Sequence, residues 1–126
     1  MTQKDKDLLL KDLSARLPYH PVLHIDTKEN YEDEYLYGFR ENGGKFLIND
    51  AYYVEEVKPY LHPMSSMTEE EENEYAFLLN DGGWGVSERL ITQCLDWLNA
   101  HHFDYRSLID KGLAIEVTED NNPYKE

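Results

Sequence analysis

The sequence predicts an α+β fold, a single small domain in which a short antiparallel sheet with a central hairpin packs against two or three helices. Three observations lead there: apolar residues at helical spacing towards both ends of the chain, two β-prone runs flanking an Asn-Gly pair in the middle, and a length of 126 residues, which supports one core of ordinary size. Hydrophobic residues make up 40% of the chain. Leu, Ile, Val and Phe together reach about 24%, above the roughly 20% below which a highly charged chain stays disordered. The domain is expected over residues 1–117, with 118–126 a polar tail that frays.

From Lys4 to Leu17, Leu9, Leu10, Leu13 and Leu17 line one face of an amphipathic helix, with Lys6, Asp7, Lys11, Asp12 and Arg16 around them. Pro18 ends it and Pro21 holds the next residues extended, because proline lacks the amide donor and biases its predecessor away from the helical region. Val22 to Ile25 then reads as a short strand. Lys28 to Glu34 is polar and acidic, a loop or the start of the following strand. Tyr35, Tyr37 and Phe39 alternate with Leu36 and Gly38, and Phe46-Leu47-Ile48 follows after Asn42-Gly43-Gly44, which predicts a hairpin whose turn needs positive φ. Ala51 to Val54 is expected to add a strand after a turn at Asn49-Asp50. A short helix from Val54 to Leu61 competes with extended chain there, and Pro59 favours the extended form.

Thr68 with Glu71 three residues on forms a capping box, and Glu69 to Glu72 set carboxylates against the positive end of the dipole, so a helix should begin at Glu69. Its apolar residues Tyr75, Ala76, Leu78 and Leu79 come late, and Asn80-Asp81-Gly82-Gly83 ends it. Ser87 is a candidate N-cap for the most amphipathic helix, lined by Leu90, Ile91, Cys94, Leu95, Trp97 and Leu98. Asp104 is placed to cap a short helix through Tyr105, Leu108 and Ile109 that Lys111-Gly112 closes, and Leu113 to Val117 to form a last short strand.

Charge narrows the functional classes. With 26 carboxylates against 12 Lys and Arg, the formal net charge is −14. Such a field repels phosphate backbones and anionic membranes, which disfavours direct nucleic-acid binding and membrane docking and favours a protein partner with a basic surface. Acidity that only maintains solubility is the plainer account. No run approaches the ~18 apolar residues of a membrane span, and charge interrupts the N-terminal stretch too often for a signal peptide, so a cytoplasmic location is expected. The single cysteine, Cys94, leaves no intrachain disulfide and no multi-thiolate metal site.

Motifs for chemistry are sparse, and no cofactor, metal or catalytic residue is expected. His20, His24, His62, His101 and His102 contain no H-E-x-x-H pattern, and neighbours such as His101 and His102 point about 100° apart on a helix. That pair suits the C-terminal end of the long helix, where partial protonation complements the dipole. An enzyme would need His62, His101 or Asp104 to converge in a pocket. Neither Gly43-Gly44 nor Gly82-Gly83-Trp84-Gly85 has the context of a phosphate cradle, and no serine sits in a nucleophile elbow. Trp84 either anchors a partner or folds back on the core. Of the ten tyrosines, six gather between Tyr31 and Tyr60. They serve either as cross-strand pairs or as a protein-binding surface, the candidate residues being Tyr35, Tyr37, Tyr52, Tyr53, Tyr60 and Trp84.

Several strings are distinctive: Lys58-Pro59-Tyr60-Leu61, the run from Pro63 through Met64-Ser65-Ser66-Met67 to Glu71, Trp97 to Arg106, and Gly112 to Glu116, with Leu8 to Leu13 and Ala15 to Tyr19. Together they resemble a family of short proteins from Bacteroides-type gut bacteria, regarded as phage- or mobile-element-related. The likeness covers both ends and the Pro-Met-Ser-Ser-Met segment, while residues 20–56 diverge. The family pattern carries arginine where this chain has His62 and glycine where it has Ser107, so a role needing a permanent positive charge at residue 62 does not transfer. The resemblance implies no activity, ligand or catalytic residue. The expectation is a small acidic, non-enzymatic interaction or accessory protein, open to self-association. The alternatives are a DNA-mimic inhibitor of a nucleic-acid enzyme and an enzyme with a His/Asp site.

Overall fold

The computed structural model describes residues 1–80 and 88–125. The first helix, α1, spans Gln3–Arg16. Thr2 opens it with a capping box: its hydroxyl accepts the Asp5 N–H at 3.1 Å while the Asp5 carboxylate accepts the Thr2 N–H. Leu9 and Leu13 are fully buried, and so are Asp12 and Arg16, which the helical pattern places among the polar surround. Their burial is sustained by pairing: Arg16 Nε donates to Asp12 at 2.8 Å, and Arg106 donates to the other Asp12 oxygen at 2.8 Å. Pro18 converts the helix end into a single 3-10 turn, Leu17–Tyr19.

Strand β1, Val22–Asp26, pairs antiparallel with β2, Tyr31–Tyr35, so the acidic stretch after Lys28 becomes a strand. The expected hairpin follows as β3, Phe39–Asn42, and β4, Lys45–Ile48. Gly43 at φ 62° and Gly44 at φ 83° fill its two-residue turn, the left-handed pair that the strands' twist demands.

The strand expected over Ala51 to Val54 does not form. Asn49 and Asp50 turn the chain at positive φ, Tyr52 makes an isolated bridge to Ile48, and Val54–Glu56 curls into a 3-10 turn. The Glu56 carboxylate accepts the Tyr53 N–H at 2.9 Å, a local bond that competes with extension. Extended chain resumes as β5, Val57–Pro63, with Pro59 inside it. Bonds from Thr27 N–H to Asn30 O and from Leu36 N–H to Pro21 O show that the odd-numbered residues of β1 bond to β2. The even-numbered ones therefore bond to β5, His24 opposite Lys58, and the donorless nitrogen of Pro59 faces the other edge.

Two short strands, β6 (Phe103–Asp104) and β7 (Ile115–Glu116), both pair parallel with β5. The principal sheet runs β2-β1-β5-β6 with β7 also on β5, and the β3-β4 ribbon stands apart from it. The α+β class holds, with a mixed sheet in place of a wholly antiparallel one. The short helix expected after Asp104 is replaced by turns: Asp104 accepts the N–H groups of Leu108 and Ile109, but Ser107 at φ 58° breaks the helical path. Of the strand expected over Leu113 to Val117, only β7 pairs.

The capping box at Thr68 and Glu71 opens α2, Glu69–Asn80, as its spacing predicts. Helix α3 spans Glu88–Ala100 and buries Leu90, Cys94 and Leu98, while Ile91 and Leu95 stay exposed. Trp97 joins the helices to the sheet, stacking on Tyr75 at 5.4 Å and on Phe103 at 5.8 Å. Ser87, Trp84 and the Asp81-Gly82-Gly83 stop lie outside the described residues.

The core forms where Leu9 and Leu13 of α1 meet Leu23, Ile25, Val57 and Leu61 of the sheet, closed by Leu36, Ile48, Leu108 and Leu113. The tail, expected to fray, returns to the domain. The Tyr124 hydroxyl accepts the Val22 N–H at 2.9 Å and donates to Tyr60 O at 2.7 Å. Val22 and Tyr60 are the next opposed positions beyond His24 and Lys58, so a phenol stands where the β1-β5 ladder would have its next bond.

Candidate functional site

Alternation along β1 sends Leu23 and Ile25 into the core and leaves His24 on the opposite face of the sheet. There His24 Nδ1 lies 3.0 Å from Asp33 of β2, and the Tyr60 hydroxyl of β5 donates to the same Asp33 oxygen at 3.1 Å. Tyr31 meets the His24 ring edge-on at 4.6 Å. Burial, then the hydrogen bond to Asp33, pushes the Tyr60 phenol up to about 12, so it remains a donor.

β2 forms the outer edge of the sheet and bears Tyr31, Glu32, Asp33, Glu34 and Tyr35 in succession. Tyr31 and Tyr35 are 78% and 62% exposed, a degree that large aromatic rings reach only when nothing covers them. Tyr37 is equally open. It is pinned by Asn49, whose Oδ1 accepts the Tyr37 N–H at 2.9 Å and whose Nδ2 donates to Tyr35 O at 2.7 Å.

The six residues proposed from sequence as a binding surface thus separate. Tyr35, Tyr37 and Tyr53 are exposed, and Tyr60 is half-buried on the open face. Tyr52 is a core residue: its ring is buried and its hydroxyl donates to Glu34 at 2.6 Å, with Glu32 at 3.3 Å. The bond to Glu34 is the main cause that raises the Tyr52 phenol far above its ordinary value. Trp84 lies outside the described residues. Tyr53 lines a groove of about 550 Å³ between α1 and the hairpin tip, where Lys45 sits 5.5 Å from the Tyr53 ring and Lys6 reaches Glu55 at 3.9 Å.

Three imidazoles gather at the other end of the sheet. His102 stacks on Tyr124 with ring centroids 4.0 Å apart, and His62 lies 6.0 Å from the same ring. His101 Nδ1 is 3.8 Å from Glu71. Burial, followed by the charge of Arg16, holds His102 down at about 4, so it is neutral and does not act as the charged cap expected after α3. Burial likewise lowers His62. Asp104 does not join them, because both its oxygens are taken by backbone N–H groups. Among the described residues no group of three or more His, Cys, Asp or Glu is placed to hold a metal ion.

Three elements of this geometry escape sequence reasoning: Asn49 as a side-chain staple on β2, the buried Asp12-Arg16-Arg106 cluster, and Tyr124. The i,i+4 spacing of Asp12 and Arg16 is the one local signal among them. No helix among the described residues is long and apolar enough to cross a membrane. Comparison with protein-family models, curated proteins and solved structures returns no match for this chain.

Proposed function

We propose that the protein is a non-enzymatic interaction module of the cytoplasm that binds a basic surface of a protein partner. The observation that carries this is β2, a solvent-facing edge strand with three consecutive carboxylates between two exposed tyrosines. Tyrosine supplies large contact area at low entropic cost and is enriched at interfaces, while the surplus of 14 negative charges steers cations towards the surface. The imidazole cluster favours no competing enzymatic account, since its rings are packed among aromatic neighbours and Asp104, the acid an enzymatic site would need beside them, serves the backbone. The resemblance to short proteins of Bacteroides-type bacteria belongs to this proposal as its biological setting and adds no activity.

The test is affinity capture from bacterial lysate with the wild-type chain and with a variant carrying Tyr31→Ser, Tyr35→Ser and Tyr37→Ser, over a salt series. Basic proteins that bind the wild type at low salt, leave as salt rises and fail to bind the variant support the proposal. An identical set on both proteins, or none on either, overturns it.

A further inference from the structure

The edge of β2 is a partly used hydrogen-bonding template. Since the even-numbered residues of β2 bond to β1, as the flanking Leu36 N–H to Pro21 O and Thr27 N–H to Asn30 O bonds require, the odd-numbered residues direct their backbone groups outward. Tyr35 O is already satisfied, as is Tyr37 N–H two residues past the strand, both by the carboxamide of Asn49. A carboxamide is a peptide group in miniature, so Asn49 acts as a one-residue stretch of neighbouring strand. The next groups along the same edge, Tyr35 N–H and both N–H and C=O of Asp33 and Tyr31, have no partner among the described residues.

We infer that β2 receives an extended, basic segment of a partner protein as an added strand, continuing the pairing that Asn49 begins. This rests on the interaction reading above and specifies its geometry. Main-chain bonds to Tyr31, Asp33 and Tyr35 give affinity, and alternate side chains give specificity. A Lys or Arg opposite Glu32 or Glu34 meets a carboxylate, and one opposite Asp33 lies beside Tyr31 and Tyr35, where the ring faces add cation–π attraction. The same three carboxylates exclude a second copy of β2, because edge-to-edge pairing would bring like charges together. Asn49 fixes where the added strand ends.

The experiment uses the isotope-labelled full chain and a blocked peptide alternating arginine and valine, long enough to pair with all five residues of β2. Binding is followed by amide shifts and hydrogen exchange. The expected result is protection of the Tyr31 and Asp33 amides by roughly tenfold or more at saturation, with Glu32 and Glu34 unchanged because β1 already holds them. The peptide with glutamate for arginine must not bind.

Asp33→Pro removes one outward donor and leaves the β1 ladder intact, as Pro59 does within β5, and should abolish binding. Asp33→Asn keeps the donor and should bind with reduced affinity, which separates the backbone effect from loss of the contacts to His24 and Tyr60. Tyr31→Pro is the second backbone variant should Asp33→Pro fail to fold. Salt-sensitive binding that survives the proline variants without amide protection overturns strand addition and leaves the interaction module standing. Failure of the arginine peptide alongside successful, tyrosine-dependent capture of basic proteins also overturns strand addition alone; failure of both overturns the module.

Discussion

His102 shows how a residue legible as a helix-terminal cation becomes something else once packed. The imidazole follows α3 at φ 60°, stacks on Tyr124 and sits near Arg16. Burial and that guanidinium both penalise the charged ring, so its folded value is about 4 against an ordinary 6.5. A base whose affinity for protons falls on folding is protonated first in the unfolded chain. Stability is therefore unaffected above pH 6.5 and falls as the pH drops from 6.5 towards 4. The loss reaches about 3 kcal/mol when fully developed. His62, lowered chiefly by burial, adds to it with the same sign. Urea unfolding at a series of pH values checks this: His102→Gln should flatten the acid limb relative to wild type, and equal limbs would show that carboxylate protonation alone sets it.

At the scale of elements, periodicity and capping chemistry made α1, α2, α3 and the hairpin legible, because each is specified within about a dozen neighbouring residues. Partner choice between strands is not local, which is why the parallel pairing of β6 and β7 and the edge position of β2 could not be read from the residues themselves. The same holds for the candidate site: the exposure of Tyr35 and Tyr37 against the burial of Tyr52 depends on which face each segment turns to a core assembled from distant segments. Tyr124 is the extreme case, since a polar tail gave no local sign that its phenol completes the junction of β1 and β5. Deleting that hydroxyl leaves Val22 N–H and Tyr60 O without their bridge. Tyr124→Phe should thus lose about 1–3 kcal/mol, as expected for removing the partner of two polar groups at a part-buried junction while the ring remains. The Val22 amide should exchange faster in the same variant. A change within experimental error would mean that β1 and β5 close directly on each other.

For the whole molecule, the decisive quantity is the imbalance of 26 acidic against 12 basic residues. Exposed pairs such as Arg40 with Asp50 at 2.8 Å and Lys6 with Glu55 at 3.9 Å contribute little and weaken in salt. The Asp12 cluster is screened far less, because Asp12 and Arg16 are fully buried and Arg106 is mostly so. Against those small losses stands the mutual repulsion of a surplus of 14 negative charges, which mobile cations relieve. The repulsion dominates, so the melting temperature should rise by several degrees between low salt and about 0.5 M sodium chloride, where the screening length falls below the spacing of most surface charges. A falling melting temperature would show that the exposed pairs outweigh the surplus. The opposite sign applies to an arginine-bearing strand on β2, whose attraction the same ions screen. Salt therefore tightens the fold while loosening the complex, and a binding signal that fades as the melting temperature climbs reports the charge of the edge strand rather than loss of structure.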